Sequence, residues 1–228
     1  MYDYTLTLDD GRAVHFKVDP ERKASDPGAQ PHPAWTQLEY HQCPNCPLSR
    51  TEHRYCPAAL DIEEIVSAFG NVVSHHEVKV EVRTAERTYL KQTDAQGALR
   101  SLMGLCLATG GCPILSRLKG PARMHVPFAS VEETLFRMAG AYLIGQYLES
   151  RQSGQPDWNL EGLTQLYAEL EIVNTALKGR LDAAAAKDAN INAVVMLMNV
   201  SILVALSLDQ QLDELRPFTI RAGPDPGT

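Results

Sequence analysis

Four of the five cysteines in this 228-residue chain are followed directly by proline. Proline disfavours the α conformation in the residue before it and has no N–H to donate, so each of these cysteines is expected in a rigid extended or turn segment. Such a segment suits a thiolate that is positioned before its ligand arrives. The pattern predicts that three separate stretches of backbone bring their sulfurs to one centre. The pairs are Cys43-Pro44, Cys46-Pro47, Cys56-Pro57 and Cys112-Pro113.

The spacing of these cysteines favours a four-thiolate metal site. Cys43 and Cys46 form a CxxC pair, which can place both sulfurs about 2.3 Å from one zinc ion. Cys56 follows soon after, and Cys112 brings a fourth sulfur from the helical half of the chain. His53 is the alternative fourth ligand, because Cys43, Cys46, His53 and Cys56 by themselves make a CCHC arrangement.

Several interpretations of this cysteine cluster stay open. A closed four-cysteine site is the usual form of structural zinc, which is the favoured interpretation. An iron–sulfur cluster is the alternative, because four cysteines ligate it equally well. A metal-free redox CxxC and partly buried thiols without partners are two further interpretations. The fifth cysteine, Cys106, lies in an apolar helical stretch and is predicted to be a core residue.

A second, weaker candidate site lies near His125, in the segment before the helix that Ser130 opens. Together with Glu132, this histidine offers an acid–base or metal-ligand pair. A single histidine beside apolar residues is, however, more often a hydrogen-bonded structural group. The sequence contains no Gly-rich phosphate loop and no nucleophile elbow.

Strand signals dominate the first part of the chain. Alternating apolar residues predict one hairpin over about 2–18 and a second over about 78–91. An isolated hairpin is marginal in water, so the two are expected to share one antiparallel sheet. Between them we expect a short strand at 35–40 and a helix that opens with a capping box formed by Asp61 and Glu64.

From Asp94 onward the spacing of apolar residues is helical. Asp94 is expected to cap one helix, and Ser130 with Glu133 forms a second capping box. The last helix, over about 191–215, is apolar nearly all round, which favours the centre of a bundle over a membrane span. The predicted fold class is therefore α+β: a small antiparallel sheet of two hairpins plus a Cys-rich loop, packed against a C-terminal helical bundle.

The expected organisation is a sheet and Cys-rich region at 1–93, a helical region at 94–217 that forms one integrated domain with it, and a flexible tail at 218–228. The net charge of −7 argues against general nucleic-acid binding and against anionic membranes. The N-terminus lacks a signal pattern, so we expect a cytoplasmic protein. In that compartment clustered cysteines bind metals or act in catalysis more often than they form disulfides.

Four segments of the chain resemble an uncharacterised bacterial family, known as a domain of unknown function: CPNCPLS, YCPAALDIEEIV, GLCLATGGCP and HVPFASVEETLFR. The resemblance covers about residues 42–215 and implies one integrated unit, without an activity or catalytic residues. The sequence therefore predicts a cytosolic metal-binding protein that acts through a protein partner or through regulation. An iron–sulfur redox protein or enzyme is the alternative function. An enzyme with an acid–base or metal site at His125 and Glu132 is a weaker alternative. The apolar helices also offer a surface for homo-oligomers.

Overall fold

A computed structural model describes residues 1–24, 27–28, 30–152 and 154–219. The flexible tail predicted at 218–228 lies outside the described residues from position 220 onward. Within the described part, the buried apolar residues of the sheet and of the helices form one continuous core. The sheet gives way to the helices at Asp94, where the last strand ends and the next helix begins. The division of the chain into regions stays a prediction.

The described strands form one antiparallel sheet in the order β2-β1-β3-β4. The prediction that both hairpins share a sheet is confirmed, because β1 pairs with β3 as well as with β2. Tyr4 lies opposite Phe16 on one side and opposite Val82 on the other, and all three side chains are buried. Alternation along β1, β3 and the second half of β2 thus gives the sheet one face that packs on the helices. The strands are β1 (Tyr2–Leu8), β2 (Ala13–Val18), β3 (Glu77–Arg83) and β4 (Thr88–Asp94).

Helices make up most of the second half of the chain, which confirms the α+β class. Helix α2 contacts β3 and β4, while α6 packs along α5 and α2. Short 3-10 turns lie at Ala34–Thr36, Leu115–Leu118 and Arg216–Phe218. The α-helices of the described residues are α1 (Pro57–Phe69), α2 (Ala95–Ala108), α3 (Lys119–Ala122), α4 (Val131–Ser150), α5 (Glu161–Ala184) and α6 (Ala189–Glu214).

Two of the three helix caps predicted at Asp61, Asp94 and Ser130 are confirmed. The carboxylate of Asp94 accepts a hydrogen bond from the backbone N–H of Gly97 at 2.9 Å. Ser130 and Glu133 form the reciprocal capping box at the start of α4. A carboxylate or hydroxyl at these positions satisfies backbone N–H groups that have no partner inside the helix.

The capping box predicted at Asp61 is wrong, because α1 begins four residues earlier, at Pro57. Proline is favoured at the first helical position, where its fixed φ fits and its missing N–H is not needed. Asp61 instead lies inside the helix with a fully buried side chain, which forms an ion pair with Arg22 at 2.9 Å. The same carboxylate accepts a hydrogen bond from the backbone N–H of Gly111 at 3.0 Å.

The strand predicted at 35–40 is also absent from the structure, which has a 3-10 turn and one isolated bridge there. The buried guanidinium of Arg180, on α5, donates hydrogen bonds to three backbone carbonyls of this segment. Backbone groups that a neighbouring strand would have paired are therefore satisfied by a side chain from a distant helix. The three carbonyls belong to Trp35, Gln37 and Leu38, at 2.7, 2.6 and 2.9 Å.

Helix α6 is only partly enclosed rather than central. Its window Ala189–Leu206 is long and apolar enough to cross a membrane by length and composition alone, and 33% of that window is buried within the fold. Core helices of globular proteins pass the same test. The side of α6 that faces α2 and α5 is packed, whereas Leu206 is 81% exposed. The expectation of a bundle centre therefore holds for one side of this helix.

Candidate functional site

The four cysteines that precede prolines line one small cavity, of about 20 Å³. The remaining walls are apolar and include Val173 and Leu177 from α5. All four residues are free thiols. Three separate stretches of backbone thus meet at this point, which lies between the loop before α1, the turn after α2, and α5. The four residues are Cys43, Cys46, Cys56 and Cys112.

Burial is the main influence on the ionisation of three of these thiols, Cys43, Cys56 and Cys112. It raises the pKa of Cys43 to about 12, and it also raises the pKa values of Cys56 and Cys112. Backbone N–H groups at the start of α1 donate to the Cys56 sulfur and oppose this rise in its pKa, but the desolvation effect is larger. Thiols with raised pKa values stay protonated and pack as small apolar groups.

The metal-binding function predicted from the sequence is wrong. Among the residues that the structure describes, no group of three or more His, Cys, Asp or Glu side chains is placed to hold a metal ion. Metal ligation needs deprotonated sulfurs at bonding distance around one centre. The cysteines pack instead around a cavity with apolar walls, so neither zinc nor an iron–sulfur cluster has support. His53, the alternative ligand, is exposed and does not line this cavity.

His125 belongs to a buried chain of hydrogen bonds. The hydroxyl of Tyr4 lies 2.7 Å from Nε2 of His125 and 3.0 Å from Oγ of Ser101. The same Ser101 oxygen accepts a hydrogen bond from the backbone N–H of Phe128 at 3.2 Å. Burial lowers the pKa of His125 to about 3, so the ring is neutral at physiological pH. This histidine joins β1, α2 and the segment before α4.

The acid–base pair predicted for His125 and Glu132 does not form. Glu132 is exposed in the first turn of α4, and a hydrogen bond from the Ser130 side chain lowers the pKa of its carboxyl group. Within the described residues it makes no hydrogen bond or ion pair with His125. Among the described residues, the hydrogen bond of the neutral His125 ring is to Tyr4, and no carboxylate raises its pKa.

A larger cavity, of about 180 Å³, lies beside His125 and opens on one side. It is enclosed by α2, the segment between α2 and α4, and the helices α4, α5 and α6. An engineered cavity of about 150 Å³ with aliphatic and aromatic walls binds benzene, so this space matches one aromatic ring or a short apolar chain. Its apolar walls include Leu105, Leu118, Met138, Leu170, Leu197 and Val200.

Two arginines reach this apolar cavity. Arg137 of α4 donates one hydrogen bond to the carbonyl of Pro121 at 3.3 Å, and its Nε is buried without a partner. Arg100 of α2 donates to the carbonyl of Ala129 at 3.1 Å. Burial lowers the pKa of both guanidinium groups, but arginine keeps its charge in proteins.

Neither of these guanidinium groups forms an ion pair within the described part of the chain. The carboxylate nearest in sequence to Arg137 is Glu133, one turn earlier; it forms no ion pair with Arg137, and one of its two oxygens accepts the capping bond from the N–H of Ser130 at 2.8 Å. A partly buried cation without a carboxylate partner is costly unless something else bonds to it. Arg137, which lines the cavity, therefore has capacity for a further acceptor.

Tyr167 completes the polar part of the cavity wall. Its side chain is buried, and burial raises the pKa of the phenol, while the charge of Arg137 opposes this rise. The same charge helps to lower the pKa of His125, so Tyr167 and His125 both lie within electrostatic range of Arg137. No hydrogen bond of the Tyr167 hydroxyl occurs among the described residues. The wall thus offers a guanidinium and a phenol O–H to an acceptor.

Sequence reasoning found His125 but missed Arg137 and Tyr167. A signal was available in α4, where Arg137 is the only cation in an otherwise apolar stretch between Phe136 and Leu148. A charged side chain within such a stretch is rarely buried unless it has a partner or a ligand. No comparable signal marked Tyr167, which shares the helical spacing of ordinary core residues.

Comparison with known protein families assigns the chain to one family. Residues 1–219 match a family described as Domain of unknown function (DUF6901), and the chain belongs to this family. No curated protein matches it. No solved structure matches it either. Its function must therefore be argued from the site itself.

Proposed function

We propose that this member of the DUF6901 family binds a small organic anion, a carboxylate attached to an aromatic ring or a short apolar chain, in the cytoplasm of a bacterium. The observation that carries this proposal is the guanidinium of Arg137. It lies on the wall of an apolar cavity with its Nε unpartnered and without a carboxylate partner in the described residues.

The apolar part of the ligand is argued from the shape and lining of the cavity. A volume of about 180 Å³ accommodates one ring or a short chain but not a long acyl chain or a nucleotide. Leu105 and Leu170 contribute to walls that favour apolar surface over water. Ligand pockets are typically of this kind, with a few polar groups that fix orientation.

The acidic part of the ligand is argued from the charges. Arg137 offers planar donors, and the fork of a guanidinium fits a carboxylate. The phenol of Tyr167 is protonated because burial raises its pKa, so it can donate a second hydrogen bond. His125 is neutral and bonded to Tyr4, so it adds neither a competing positive charge nor a base.

The experiment is calorimetric titration of the full chain with benzoate and with benzamide, which has the same ring and no charge. We expect benzoate to bind about tenfold tighter or more, because a charge-assisted hydrogen bond contributes about 1.5–3 kcal/mol. Arg137→Met should remove the preference, because it keeps the length of the side chain and loses the charge.

Arg117→Met is the matched control. Arg117 pairs with Glu169 on the surface and does not line the cavity, so this variant should bind benzoate as the parent does. Thermal melts of both variants show whether the fold is intact. The proposal fails if benzamide binds as tightly as benzoate, or if a folded Arg137→Met variant keeps the preference.

A further inference from the structure

Helix α4 carries an uncovered apolar face. Phe136, Ile144, Tyr147 and Leu148 are 48%, 63%, 55% and 52% exposed. Their spacing places them on one side of the helix. This apolar face, Phe136–Ile144–Tyr147–Leu148, runs along most of a 20-residue helix that is about 30 Å long.

The second half of α4 is covered on one side only, where Tyr142 and Gln146 form hydrogen bonds with Asp157, at 2.8 and 2.6 Å, in the segment before α5. The buried residues of this helix all lie in its first half, whereas between 143 and 149 every residue except Gln146 is exposed. An isolated helix of this length is marginal in water, and helices in proteins gain most of their stability from packing. The exposed half of α4 would therefore gain stability if another surface packed against it.

We propose that the covering surface is a second copy of this chain, with the two α4 helices antiparallel about a two-fold axis near Tyr142. In this register, residues at equal distances before and after position 142 face each other. Phe136 then lies against Leu148 of the partner subunit, and Gly140 lies against Ile144 of the partner subunit. A two-fold axis repeats each contact, so one face is complementary to itself.

Gly140 gives this register its steric fit. A Cβ at Gly140 would have no atom within 4 Å in the single chain, so the glycine leaves a gap in the apolar face. Ile144 is one helical turn further along and is 63% exposed. In the antiparallel pair, each isoleucine enters the gap of the other helix, as a side-chain knob enters a hole.

Charge complementarity supports the same register. Glu133 in the first turn of α4 lies opposite Arg151 of the partner subunit, at the far end of the apolar face. Both residues are exposed, and Arg151 forms no ion pair within the described residues.

A membrane surface is the less favoured occupant, because α4 carries three glutamates and only one arginine. This inference does not depend on the proposed ligand.

The test is the mass of the full chain measured by light scattering during size-exclusion chromatography, over a dilution series. We expect a dimer, with twice the chain mass of 25.1 kDa. Gly140→Leu should fill the gap, clash with Ile144 of the partner subunit, and raise the dimer dissociation constant about a hundredfold or more. Its melting temperature under monomeric conditions should not fall, because the site is open in the single chain and leucine favours helix over glycine.

Gly145→Leu is the matched control. A Cβ at Gly145 would also meet no atom within 4 Å, but this glycine lies about 140° away from Gly140 around the helix axis, at 3.6 residues per turn. This variant should stay dimeric. Ile144→Ala added to Gly140→Leu should restore the dimer, because the shortened partner makes room for the leucine.

Three outcomes would overturn the inference. The first is a wild-type chain that is monomeric at the highest concentration reached. The second is Gly140→Leu with the same dissociation constant as Gly145→Leu. The third is a monomeric chain that sediments with phosphatidylglycerol vesicles and loses that binding in Ile144→Glu, which would assign the face to a membrane instead.

Discussion

Gly110 is the position where one added methyl group should most damage the fold. A Cβ there would overlap the carboxylate of Asp61, with even its Oδ1 only 3.0 Å away. The carboxylate cannot simply move aside, because Arg22 holds it at 2.9 Å and the N–H of Gly111 at 3.0 Å. Gly110→Ala must therefore displace a buried, doubly bonded charge.

The expected cost follows from those two bonds. The side chain of Asp61 is fully buried and that of Arg22 is 23% exposed, so this pair is well shielded from water. Breaking a buried ion pair costs about 3–5 kcal/mol. We therefore expect Gly110→Ala to lower the free energy of unfolding by about 3 kcal/mol or more, which is a large share of the stability of an ordinary domain.

Urea unfolding followed by circular dichroism measures this loss. Gly120→Ala is the control, because a Cβ at Gly120 meets no atom within 4 Å and should leave the free energy of unfolding within about 1 kcal/mol of the parent. The double variant Gly110→Ala with Asp61→Ala separates the causes. Once the carboxylate is gone, the alanine at 110 should cost little beyond the loss caused by Asp61→Ala.

Two results would refute this reasoning. One is a Gly110→Ala variant that unfolds at the same urea concentration as Gly120→Ala. The other is additive losses in the double variant, since additivity would mean that the methyl group at 110 does not act through the carboxylate of Asp61.

Three further predictions concern buried groups elsewhere. Burial holds the pKa of His125 at about 3 in the folded state, against about 6.5 in the unfolded state. As the pH falls below about 6.5, the unfolded state therefore binds a proton at this histidine that the folded state does not bind, and the folded state loses stability. From about pH 7 to about pH 5 the wild type should lose about 2 kcal/mol more unfolding free energy than His125→Gln, and equal losses would contradict the assignment. Arg180→Lys should lower the free energy of unfolding in urea by about 3 kcal/mol, because a lysine cannot bond three carbonyls in fork geometry. The same change at the exposed Arg87 should cost almost nothing. A small loss of unfolding free energy for Arg180→Lys would mean that those three bonds add little to stability. Desolvation raises the pKa of the partly buried Cys43 and of the buried Cys106 to about 12. At neutral pH both should therefore react with a disulfide reagent about a hundredfold slower in the folded chain than in urea. Fast labelling of either thiol in the native chain, located by mass spectrometry, would contradict this shielding.

Local patterns explain why most of the fold could be predicted. Period-2 alternation in the hairpins and the caps at Asp94 and Ser130 depend on residues that are neighbours in sequence. The sheet order follows almost directly, because two hairpins need a common sheet. The errors arose where a distant residue decided the outcome. The strand expected at 35–40 became a turn because Arg180 satisfies its carbonyls from α5.

The Cys-Pro pattern shows why the metal site was mispredicted. A proline after cysteine suits a ligand loop, but Pro57 has a simpler role as the first residue of α1. Both explanations require the same residues at the same spacing. Only the arrangement of the thiols and their burial distinguish them, and those depend on α5, where Val173 and Leu177 close the cavity.

The candidate ligand site was even less visible from the sequence. Its walls come from five segments of the chain, and its charged groups lie on different helices, with Arg100 on α2 and Arg137 on α4. No motif with fixed spacing connects them. A cavity is a property of packing between helices, so it appears only when the helices are placed against each other.

A crystal structure of the full chain with 4-bromobenzoate tests the central claim most directly, because the anomalous signal of bromine locates the ligand. We expect one bromine peak between Leu105 and Leu170, with the carboxylate within hydrogen-bond distance of Arg137. A cavity without bromine signal, or a carboxylate that points away from Arg137 into solvent, would contradict the account.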